Sequence, residues 1–82
     1  MTARECILDC LIEDDEAYTQ IVDFVNFANV EISDEEIKRT LHKMEKSGYI
    51  YINYDWTNEH GEYPYSLTEK GRRAWTTFCA SS

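Results

Sequence analysis

Lys38, Arg39, His42, Lys43 and Lys46 are the residues whose types and spacing best suit a chemical task. On a helix at 100° per residue they fall within an arc of about 140°. Ile37, Leu41 and Met44 occupy about 60° on the opposite side. Four cations and a histidine on one face can hold anionic groups. The same run also reads as a solvated face carrying Glu35–Arg39 and Glu35–Lys38 pairs.

Other constellations are poorer. Cys6 and Cys10 are four apart, and only His42 and His60 could join them. A zinc site normally brings two clear ligand pairs, so the thiols are expected to be buried and inert, Cys79 with them. The acidic run from Glu13 to Glu16 lacks the glycine and the alternating ligands of a calcium loop and reads as a solvated turn. No Ser/His/Asp set or glycine-rich phosphate loop is present, so neither catalysis nor a cofactor or metal is expected. The segment from Asp55 to Glu62 is different in kind. It holds three acids and no lysine or arginine, and Tyr54, Trp56, His60 and Tyr63 make it aromatic. Such residues anchor protein contacts. Trp56 folded back as cover for the strands is the competing reading.

The elements that must position these residues follow from periodicity. A capping box of Ser33 and Glu36 opens a helix over about 33–47, with Asp34, Glu35 and Glu36 favoured in its first turn. Gly48 ends it. Alternating aromatic and β-branched residues from Tyr49 to Tyr54 predict a strand, and the chain returns through 63–67, giving a hairpin over about 49–67. Pro64 must sit near the start of the returning strand or on an unpaired edge.

A first helix is expected over about 2–13, with Ile7, Leu8, Leu11 and Ile12 as its stripe. A short strand at about 16–18 precedes a second helix over 19–28, with Thr19 as its cap. Phe24 and Phe27 widen the apolar face of that helix, so it is expected to be covered on two sides. A last helix over 68–79 is capped by Thr68 and turns Trp75, Phe78 and Cys79 toward the first helix. Ile37, Leu41, Met44, Ile50, Leu67 and Trp75 should then share a core with Leu8, Leu11 and Val25.

Eighty-two residues, 43% hydrophobic and 13% aromatic, suit one small folded domain over 1–82. No apolar run approaches the roughly 18 residues of a membrane span, and no signal-peptide pattern is visible; no membrane association is expected, and the cytoplasm is the expected location. The net charge of −8 opposes general attraction to nucleic acid. Its distribution is uneven. Residues 1–32 carry one base against eight acids, and residues 33–82 carry seven bases against eight.

The order of three helices, hairpin and closing helix, an α+β and mainly helical class, resembles the winged helix-turn-helix domain. The signature is similar to bacterial and archaeal PadR-like and MarR-like regulators. It is carried by Ser33, Asp34, Glu35, Glu36, Ile37, Leu41, Met44, Glu45, Gly48, Tyr49 and Ile50, then by Tyr65, Leu67, Thr68, Lys70 and Gly71. The resemblance covers about half the chain and implies that helix 33–47 is a recognition helix for the major groove of double-stranded DNA. Arg39 and Lys43 would reach base edges, and Lys38 and Lys46 would meet phosphates. Related regulators often form a homodimer through a long terminal helix, and the last helix here reads as only about three turns. DNA-binding members commonly carry Arg or Lys in the wing, and this wing does not. Two readings therefore stand. The first is a DNA-binding transcriptional regulator, or an accessory to one, acting through helix 33–47. The second is a protein-interaction module binding a protein partner through the acidic, aromatic wing.

Overall fold

The structure, a computed structural model, describes residues 1–81. Thr2 and Glu5 open the first helix, α1 (Ala3–Glu13), with a reciprocal capping box: Glu5 N–H donates to Thr2 Oγ1 at 3.2 Å, and Thr2 N–H donates to Glu5 Oε1 at 2.8 Å. Cys6, Ile7, Leu8, Cys10 and Leu11 are buried along it.

The second helix, α2 (Tyr18–Phe27), starts earlier than Thr19. The long Gln20 side chain accepts the Ala17 N–H at 2.8 Å, so the cap lies at Ala17 and Tyr18 is drawn into the helix. The short strand expected before it shrinks to a single bridge between Glu16 and Tyr65. Phe24 packs against the core, but Phe27 is 90% exposed, so the expected cover on two sides is not there. Asn29 then takes a left-handed turn, with φ 58°, and leads the chain away.

Ser33 caps α3 (Asp34–Lys46): its Oγ accepts from Glu36 N–H at 3.2 Å. Gly48, with φ 81°, ends the helix, and Tyr49 N–H returns to Met44 O at 2.9 Å. Strands β1 (Ile50–Ile52) and β2 (Tyr65–Leu67) pair antiparallel with Ile50 opposite Leu67. Pro64 is buried just before β2, and its carbonyl accepts from Asn53 N–H at 2.8 Å.

The last helix, α4 (Glu69–Ser81), packs against α1. Trp75 lies partly buried against the core and donates its Nε1–H to Asp9 Oδ1 at 3.3 Å. Cys6 and Cys10 are buried as expected, whereas Cys79 lies on the exposed side of α4. Ile37, Leu41, Met44, Ile50 and Leu67 form one buried cluster with Leu8, Leu11 and Val25.

Thr68 joins three elements. Its Oγ1 accepts the Gly71 N–H at 3.1 Å and donates toward the carbonyls of Gly48 and Tyr49. Gly71 is buried here, and a Cβ on it would overlap the Tyr49 carbonyl oxygen. This explains the glycine of the Leu-Thr-Glu-Lys-Gly run by close approach of backbone rather than by turn geometry. Gly71→Ala is expected to destabilise the fold by about 1–3 kcal/mol through overpacking. Urea unfolding checks it, and an unchanged midpoint would show that α4 can slide freely from β1.

Candidate nucleic-acid interface

The burial of Ile37, Leu41 and Met44 fixes which way α3 faces. Lys38, Arg39, His42, Lys43 and Lys46 are consequently all exposed. Among the described residues, Glu35 forms no ion pair with Arg39 or Lys38, so these cations keep their charge available. Lys38 stands at one edge of the row, its Nζ 5.3 Å from the centre of the Tyr18 ring on α2. Lys43 stands at the other edge, where a shallow depression connects it with Arg4 and Tyr49.

That second edge was not visible in the sequence. Arg4 and Lys70 both stack on Tyr49, with the guanidinium carbon at 4.8 Å and the ammonium at 4.5 Å from the ring centre. Lys70 also donates to Ser47 O at 2.7 Å, a carbonyl at the negative end of α3. Positions 4, 49 and 70 show no shared spacing; only the packing of α1 and α4 brings them together.

The wing is a built loop rather than a loose one. Asn58 Oδ1 accepts N–H groups from His60 and Glu62, both at 2.9 Å. The Glu62 carboxylate accepts from Thr19 Oγ1 at 2.6 Å and from Asn58 Nδ2 at 3.0 Å. These hydrogen bonds, Thr19 first and Asn58 second, hold its pKa below the ordinary carboxylate value. Glu62 therefore fastens the wing to α2, and the outward wing acids are Asp55 and Glu59. His60 lies 3.7 Å from Glu59, both side chains well exposed. The Tyr54 and Tyr63 rings meet edge to face at 4.8 Å, and Trp56 is 43% exposed, neither folded away nor fully free. Tyr54, Trp56, His60 and Tyr63 thus share the wing, and none of them belongs to α3.

The thiols do not enter this surface. Burial, with Glu16 and Asp9 adding to it, pushes the Cys10 thiol up to about 12, where it stays protonated. Among the described residues no three His, Cys, Asp or Glu side chains converge as a metal site. No described helix is long and apolar enough to cross a membrane.

The arrangement can be set beside known proteins. The family model described as winged helix DNA-binding domain matches residues 4–81. No curated protein matches the chain. A PadR family transcription regulator of Clostridium difficile R20291 has a similar structure. Its TM-score is 0.86 at 18% identity, over 96% of this chain and 84% of that one. A transcriptional regulator of Clostridium thermocellum gives a TM-score of 0.81 at 23% identity, over 96% of this chain and 78% of that one. PadR of Bacillus subtilis, crystallised in complex with operator DNA, gives 0.77 at 16% identity, over 93% of this chain and 46% of that one.

Proposed function

The chain belongs to the winged helix DNA-binding domain family, and from that membership we propose that it is a cytoplasmic transcriptional regulator, or an accessory to one, that reads double-stranded DNA with α3. The observation that carries this is the row of Lys38, Arg39, His42, Lys43 and Lys46, all exposed and free of ion pairs among the described residues. Arg39 and Lys43 are assigned to base edges, and Lys38 and Lys46 to phosphates. The structural neighbour from B. subtilis, solved with operator DNA, supports duplex DNA as the partner class. The task assigned to the chain is binding, with no catalytic step.

Binding is expected to be weak and steeply dependent on salt, because the protein as a whole is acidic. With four or five phosphates neutralised, log K against log salt should fall with a slope of about −4. Titration of a labelled duplex at several salt concentrations measures it. A slope near zero, or no binding at low salt, would overturn the reading.

A second reading rests on the wing. Its exposed tyrosines and Trp56, flanked by Asp55 and Glu59, suit a protein contact better than a phosphate backbone. Binding of such a partner would depend on Trp56, which DNA affinity would not.

A further inference from the structure

Phe27 is the most exposed large apolar side chain among the described residues. It stands at the end of α2, and the left-handed Asn29 carries the following chain elsewhere. Phe24 and Cys10 lie next to it in a cleft of about 540 Å³ between α1 and α2. Cys10 is buried and its thiol neutral, so it adds an apolar surface to this floor. Glu13, Glu16 and Asp23 line the same cleft, which no lysine or arginine lines. Arg4, the one base among residues 1–32, is occupied at Tyr49. Burial first, and the neighbouring Asp14 and Asp15 after it, hold the Glu16 carboxyl above its ordinary value.

We propose that this cleft is a docking site for a basic, amphipathic segment of another protein, which seats an apolar side chain against Phe24 and Phe27 and sets lysines or arginines against Glu13, Glu16 and Asp23. Charge complementarity selects this occupant. Phosphates of DNA and anionic lipid headgroups are repelled by the rim. A second copy of the chain fits less well: its cationic α3 face exposes no apolar side chain to enter the cleft, and the exposed aromatics of its wing stand beside Asp55 and Glu59, which the acidic rim repels. The recognition mode is an amphipathic helix laid in a groove, with aromatic anchors at its centre. The site lies apart from α3 and does not depend on the DNA reading.

The test uses the full chain and three peptides of about four helical turns each. One is an amphipathic Leu/Lys helix, one a Lys/Ser peptide of equal charge, and one a Leu/Glu helix. Amide chemical shifts report where each binds. The Leu/Lys peptide is expected to bind at physiological salt and to shift Cys10, Phe24 and Phe27. The Lys/Ser peptide should bind at least about tenfold more weakly, and the Leu/Glu peptide not at all. Phe27→Ser and Asp23→Lys, both at exposed positions, should each weaken the Leu/Lys peptide about tenfold or more. Thermal unfolding and duplex binding of Phe27→Ser should match the parent. Equal binding of Leu/Lys and Lys/Ser peptides would overturn the proposal, as would shifts centred on the wing or no binding of the Leu/Lys peptide. Sedimentation showing that Phe27→Ser dissolves a homodimer would overturn it too, by assigning the cleft to a second copy.

Discussion

Leu41→Ala is expected to lower the unfolding free energy by about 2–5 kcal/mol. Leu41 is 2% exposed and sits in one cluster with Ile37, Met44 and the α1 residues Leu8 and Leu11. Removing its branched end leaves a cavity that α1, packed against both α3 and α4 and tied to α4 by the Trp75–Asp9 bond, cannot fully collapse to fill. Domains of this size bury a smaller share of their surface than larger ones, so their stability margin is thin. Typical margins are about 5–15 kcal/mol, and the change would remove a large part of one. The urea midpoint should fall markedly with the denaturant slope unchanged. An unmoved midpoint would mean that Leu41 faces water. The α3 register would then be wrong, and the cationic row would point into the protein.

The second large effect concerns that row itself. Replacing Arg39 and Lys43 together with alanine should abolish measurable duplex binding. Each well-formed contact to a base edge contributes about 1–3 kcal/mol of discrimination, so losing two lowers affinity by roughly 30-fold to 10⁴-fold. Both residues are exposed on α3, and the unfolding free energy should stay within about 0.5 kcal/mol of the parent, as is usual for surface substitutions. Pairing the two measurements separates lost recognition from lost folding. Duplex affinity unchanged by the double substitution would remove α3 from the interface.

Much of the architecture was legible because it is local. Ser33, the acids after it, the spacing of Ile37, Leu41 and Met44, and Gly48 all act within one helix and its two ends. Thr68 was legible for the same reason, since its bond to Gly71 N–H spans one turn. What stayed hidden involves either a competing local bond or a contact across the fold. Thr19 looked like a cap, yet Gln20 reaches back to Ala17 and the hydroxyl turns instead to Glu62, 43 residues away. Glu62 looked like surface charge until that contact was formed. Tyr49 gave no sign that cations from both ends of the chain would meet on it. Phe27 was legible after all: at 100° per residue it lies about 140° from the line through Ile21 and Val25. Its hydrophobic type outweighed its angle in the sequence reading.

The wing is tied to α2 and the turn before it at three places: the Glu16–Tyr65 bridge, the Thr19–Glu62 bond and the Asn53–Asp15 bond at 3.4 Å. These ties settle the thermodynamic character of any event on this surface. A free loop must be frozen at the moment of contact, at about 0.5–1.5 kcal/mol for each immobilised side chain. It then shows the large negative heat-capacity change of folding coupled to binding. Here the ordering of the loop backbone is completed when the chain folds, and only exposed side chains such as Trp56 and His60 lose freedom on contact. A ligand spanning α3 and the wing would meet one preorganised body. Its calorimetric heat capacity would report only the surface it covers, with no contribution from a loop condensing around it.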